Sequence, residues 1–172
     1  MKWRGLFGTA LLCACASQPQ GSAVTSGTRS GEPIYFSFGT TEGAEFSSES
    51  TRGRATVVLF VTTFDLASQA EARNLNDVFR TYRPRINAGV VVLEAPKYAT
   101  FAEVFRTSLG LKYPVAIADA GTIAGGGPFG AVDRVPTLIV LDRDGREVTR
   151  LVGLQKASEI EAALGGARQG AP

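Results

Sequence analysis

The chain has 172 residues, 18 basic and 16 acidic side chains, and a net formal charge of +2. With Lys2 and Arg4 set aside as part of an N-terminal segment the balance is even, which argues against nucleic acid as a partner. Histidine is absent, so Ser-His-Asp triads, Cys-His dyads, His-ligated metals and the usual neutral-pH proton carrier are excluded together.

Lys2 and Arg4 precede an apolar run, Leu6 to Ala14, that is too brief to span a bilayer and reads as an export signal. The run ends Leu12-Cys13-Ala14-Cys15, and small residues before a cysteine resemble the lipobox at which bacterial lipoproteins are cleaved and diacylated. That resemblance makes residues 1–15 a lipoprotein signal peptide with its lipidation site, Cys15, and implies a membrane lipid anchor there. Both cysteines of the chain, Cys13 and Cys15, lie in this segment, so the domain beyond must be held by burial alone. Residues 16–33 are rich in Ser, Gly, Thr and Gln, hold Pro19 and Pro33, and read as a flexible tether with a reach of roughly 20 to 25 Å.

A domain is expected over residues 34–165. Ile34 to Phe38 and Ala44 to Phe46 are short β-type runs around a glycine-containing loop, which predicts a hairpin. Ala55 to Thr62 is a continuous Val/Leu/Phe run, the mark of a strand buried on both faces, with helices expected above and below. Ala72, Leu75, Phe79 and Tyr82 recur at helical spacing and predict a helix from about Ser68 to Arg83, stopped by Pro84. A second buried strand follows at Gly89 to Leu93. Tyr98 to Leu109 then places Phe101, Val104, Phe105 and Leu109 on one helical face before Gly110. Val115 to Ala118 is a short extended segment, and Gly121 to Gly130 is too glycine-rich to assign. Val135 to Leu141 is a strand entered through Pro136; Asp142 to Gly145 turns it into Arg146 to Leu151. Ala157 to Leu164 closes the domain as a short helix, leaving 166–172 as a disordered tail.

The order of these elements, and the run Asp133-Arg134-Val135-Pro136-Thr137-Leu138-Ile139-Val140-Leu141-Asp142-Arg143-Asp144-Gly145, resemble thioredoxin-like proteins of the TlpA or redoxin (AhpC/TSA-like) type. The resemblance implies an α/β thioredoxin-like fold with a central mixed β-sheet flanked by helices, an N-terminal β-hairpin and a cis Val135-Pro136 bond. It also implies a Cys-x-x-Cys at the N-terminus of the first long helix. There this sequence carries Asp65 and Ser68. Dithiol exchange begins with a thiolate attacking a disulfide sulfur, and neither a carboxylate nor a hydroxyl can form the mixed disulfide.

Asp65 is suited to cap the helix, and Ser68 with Glu71 has capping-box spacing. No catalytic residue, cofactor or metal is therefore expected. Phe64, Asp65, Ser68, Val135 and Pro136 are the candidate binding residues for an envelope protein or extended peptide. Gly125 to Gly130 matches Gly-x-Gly-x-x-Gly but lacks the strand-turn-helix setting of a dinucleotide site and reads as a flexible loop. Asp142-x-Asp144-Gly145 lacks the remaining ligands of a calcium loop and reads as a turn. Arg73, Arg80, Arg83 and Arg85 read as a solvated helix face, with anionic lipid as the rival. The functional expectation is a membrane-tethered cell-envelope module, facing the periplasm or sorted to the outer membrane, that binds or scaffolds. The alternatives are a thiol-disulfide oxidoreductase or peroxidase, as the resemblance implies, and a purely structural envelope lipoprotein. Oligomeric state is open.

Overall fold

The computed structural model describes residues 31–169. The expected signal segment, Cys15 and most of the tether lie outside the described residues, as does the end of the expected tail. Strands β1 (Ser37–Gly39) and β2 (Glu45–Ser47) form the N-terminal hairpin, followed by a single helical turn, α1 (Ser48–Thr51). Then come β3 (Thr56–Val61), α2 (Leu66–Tyr82), β4 (Asn87–Val92), a 3-10 turn at Pro96–Tyr98, and α3 (Ala99–Ser108). The remainder is β5 (Val115–Ile117), α4 (Ala120–Ile123), β6 (Thr137–Leu141), β7 (Glu147–Val152) and α5 (Ala157–Gln169).

The central sheet has the order β5-β4-β3-β6-β7. Its first three strands are parallel, and β6 runs antiparallel to both its neighbours, β3 and β7, so the sheet is mixed, as expected. All six residues of β3 are buried, because neighbours hydrogen-bond on both edges and side chains are covered on both faces. One face is covered by helices: Leu75 and Val78 of α2, Ala102 and Phe105 of α3, and Ile160, Leu164 and Ala167 of α5 join Val57, Leu59 and Val90 in one cluster. The other face is not covered by a long helix. Phe36, Phe38 and Phe46 from the hairpin region and Phe129 from the loop after α4 pack there on Val58, Phe60 and Ile139. Aromatic rings bury large areas, so a short hairpin supplies what a helix was expected to supply. Gly89 makes this possible, since a Cβ there would stand 2.5 Å from the Phe46 ring.

Three further expectations are corrected. The closing helix runs through Gly165 and Gly166 to Gln169 and buries Ala167, so residues 166–169 belong to the domain rather than to a tail. Pro33 already bridges Arg146, so the domain begins before Ile34. In α3 the buried residues are Ala102 and Phe105, while Phe101 and Val104 are exposed. Positions at i, i+3 and i+4 span a wide arc, and the small Ala102 marks the side that meets the sheet. The Val135-Pro136 peptide is cis, as the resemblance implied, and so is Arg83-Pro84.

Candidate functional site

Beyond Val61 the chain leaves the sheet through Thr62–Phe64 and turns into α2. Asp65 is the N-cap: its backbone is extended and its carboxylate accepts the Ser68 N–H at 2.6 Å. The N-cap thus lies three residues earlier than the Ser68-Glu71 capping box expected from spacing. Ser68 is instead the third residue of the first turn and is fully buried, its side chain next to the Asp65 carboxylate. The neighbouring Ser68 side chain and then its N–H hold the Asp65 carboxyl below the ordinary carboxylate range. A carboxylate at a helix N-terminus is stabilised by the same partial positive charge that would acidify a thiol. Asp65→Ala is expected to lower the unfolding free energy by about 1 kcal/mol, measured by urea denaturation against Asp65→Asn, which keeps the cap.

The turn ahead of the cap is held from two sides. Glu94, two residues beyond β4, accepts the Thr63 N–H at 2.5 Å and the Thr63 hydroxyl at 2.9 Å. Gln69 Nε2 donates to the Thr63 carbonyl at 3.0 Å. With Thr63 fixed, the next side chain points outward: Phe64 is 68% exposed and meets Phe101 of α3 edge to face, ring centroids 5.0 Å apart. Tyr98 extends this aromatic surface, its ring 6.0 Å from Phe101.

Pairing of Phe60 with Thr137 brings the start of β6 to the same end of the sheet. Val135 and Pro136, immediately before it, therefore stand at the pole that carries Phe64 and Asp65. Pro136 is buried, Val135 half-buried and Arg134 exposed. Thr137 Oγ1 donates to the Arg134 carbonyl at 2.7 Å, which fixes this turn. Of the five binding candidates, four stand at one pole and Ser68 faces inward. The loop read as flexible is anchored: Phe129 is buried among Phe36, Phe38 and Phe60, and Arg150 Nη2 donates to its carbonyl at 2.8 Å. It follows the short α4 rather than a strand, so no dinucleotide geometry exists. Asp142 Oδ1 accepts the N–H groups of Asp144 and Arg146, each at 2.9 Å, confirming the turn.

Sequence reasoning did not single out Glu94, and it read Phe101 only as part of a helical face and Glu71 only as part of a capping box. Glu71 is fully buried on α2; its Oε2 accepts the Gln155 N–H at 2.8 Å and its Oε1 has no partner. Burial pushes this carboxyl up to about 7, against the lowering effect of the Gln155 N–H. Among the described residues no group of three or more Cys, Asp or Glu side chains is placed to hold a metal, and no helix is long and apolar enough to cross a membrane.

No family model matches the chain. In sequence it is similar to the thiol-disulfide oxidoreductase ResA of Bacillus thuringiensis, 26% identical over 123 residues that cover 72% of this chain and 69% of the relative. In structure it is similar to a thioredoxin-family thiol:disulfide interchange protein of Chlorobium tepidum, with a TM-score of 0.70 and 22% identity, covering 83% of this chain and 99% of that one. A secreted Mycobacterium tuberculosis disulfide oxidoreductase homologous to DsbE superposes with a TM-score of 0.65 at 20% identity, over 77% of this chain and 96% of that one. The chain thus has the thioredoxin-like fold, and over 72% of its length it is similar in sequence to a ResA-type thiol-disulfide oxidoreductase.

Proposed function

We propose that this domain is a non-redox binding module of the cell envelope, tethered to a membrane through Cys15, which takes an extended peptide at the Phe64–Asp65 and Val135–Pro136 pole. The observation that carries the reading is Asp65 itself. A carboxylate caps the helix where a redoxin needs its attacking sulfur, and residues 16–172 contain no cysteine to replace it. What the pole still offers is an exposed aromatic pair and a chain turn held by hydrogen bonds, which suit recognition of an extended chain through its side chains and backbone. Thiol-disulfide exchange is the second reading, favoured by the names of the relatives.

Two measurements separate the readings. Insulin reduction and peroxide consumption by the purified protein are expected to stay at buffer level, whereas the Asp65→Cys/Ser68→Cys variant gains reductase turnover. Sustained turnover by the wild type, after trace thioredoxin is removed, establishes the second reading. Binding is followed by NMR with a carboxymethylated, unfolded polypeptide as probe. Shift changes confined to residues 62–68, 98–101 and 134–137 support the groove, and none at saturating probe removes it.

A further inference from the structure

The opposite pole has a chemistry of its own. The start of β3, the start of β4 and the end of β6 stand side by side, with Thr56 paired to both Asn87 and Leu141. Hydrogen bonds tie the adjoining segments together: Gly53 N–H to the Arg143 carbonyl at 2.9 Å, Asn87 N–H to the Ala55 carbonyl at 2.9 Å, and Arg54 Nη1 to the Pro84 carbonyl at 2.9 Å. These segments carry Arg52, Arg54, Arg83, Arg85 and Arg143, all exposed, and the half-buried Arg146. Carboxylates are present as well, at Glu32, Glu45, Glu49, Asp142 and Asp144. Among the described residues, however, none forms an ion pair with any of the six arginines, and Asp142 is engaged by its own turn. Arg54 and Arg83 flank a cavity of about 320 Å³ whose wall includes Phe79 and Ile86. The exposed Tyr35 ring lies under the Arg52 guanidinium at 5.4 Å.

A second, independent observation concerns where the N-terminal segment joins. Ile34 N–H donates to the Gly145 carbonyl at 2.8 Å, and Pro33 bridges Arg146. The thirty residues before Gly31, with the apolar run Leu6 to Ala14 and Cys15, therefore connect at this pole and not at the Phe64 pole. Guanidinium groups without an ion-pair partner, an exposed tyrosine and the attachment of that segment converge on one end of the domain. Arginines near a surface of acidic phospholipid are attracted within a Debye length, and tyrosine suits the headgroup level.

We infer that the arginine pole rests on an anionic phospholipid surface and turns the Phe64–Pro136 pole away from it. The inference goes beyond the binding module, since it concerns a different surface and stands whether or not that groove takes a peptide.

The full chain is mixed with vesicles of phosphatidylcholine alone or of phosphatidylcholine with phosphatidylglycerol, and amide hydrogen exchange is compared. Exchange across residues 52–55, 83–87 and 143–146 is expected to slow about five-fold on the anionic vesicles only, and to recover at about 0.5 M salt. The Arg52→Gln/Arg83→Gln/Arg85→Gln/Arg143→Gln variant, which keeps the Arg54–Pro84 hydrogen bond, is expected to lose that protection with an unchanged thermal midpoint. Equal exchange on both vesicles overturns the inference. So does protection of residues 62–68 instead, or equal protection by soluble polyglutamate, which would assign the pole to an acidic protein. Flotation with the neutral vesicles reports the Cys15 tether separately, so its failure leaves the anionic comparison decisive.

Discussion

Phe129→Ala is expected to lower the unfolding free energy by about 3 to 5 kcal/mol, the range for removing a buried aromatic ring. The ring is 1% exposed and lies 5.2 Å from Phe36, 5.2 Å from Phe60 and 6.4 Å from Phe38, centroid to centroid. Three elements meet on it: the N-terminal segment, β3 and the loop after α4. Collapse into the vacated space is resisted by the hairpin pairing of Phe38 with Phe46. Urea denaturation checks this through a lower midpoint at an unchanged slope. Phe129→Leu, which refills most of the volume, is expected to cost less than half as much. A loss below about 1 kcal/mol for the alanine variant would show that the aromatic layer is not the structural cover of that sheet face.

The second large effect is on the pH dependence of stability. Glu71 is pushed by burial from an ordinary 4.5 to about 7 in the folded protein. Between those values the folded state holds a proton that the unfolded state has released, so stability falls as pH rises. Stability from this group is complete below pH 4.5 and lost as pH passes through 7; the shift corresponds to up to about 3 kcal/mol. Burial fixes the sign; of the groups facing Glu71, the Gln155 N–H and then the Asn74 side chain favour the charged form, while Glu159 repels it. Asp65 and Asp119, held low by their caps, act in the opposite direction, but only where carboxylates titrate below their ordinary values. The window from 4.5 to 7 thus belongs to Glu71. Glu71→Gln is expected to flatten the curve there, and a wild type whose stability rises from pH 5 to 7 contradicts the burial argument.

Most of the architecture was legible because it rests on strong local patterns. The apolar runs at Val57–Val61 and Val90–Val92 could only be buried strands, and Ala72, Leu75 and Phe79 recur at helical spacing and face the sheet. Elements of four residues, α1 and α4, carry no periodicity and could not be read. The site was legible where it depends on chain order, as with Asp65 and the Val135-Pro136 turn. It was hidden where it depends on tertiary contact. Ser68 and Glu71 have the spacing of a capping box, yet the helix begins two residues before Ser68, and that offset turns both side chains inward. Phe101 falls on one helical face with Phe105, and nothing in its own helix shows that Phe64, thirty-seven positions earlier, meets it at the surface.

The Glu94–Thr63–Gln69 clamp has a thermodynamic corollary. Ordering a free loop costs about 1 to 2 kcal/mol of backbone entropy for each residue fixed. Here that cost is met during folding, because the Thr63 N–H, hydroxyl and carbonyl are all engaged before any partner arrives. A peptide bound as proposed at Phe64 is expected to meet a preorganised surface and to order only its own chain. Under the proposed function, discrimination among peptides at this pole is expected to reside mainly in residence time, with arrival rates differing much less from one sequence to the next.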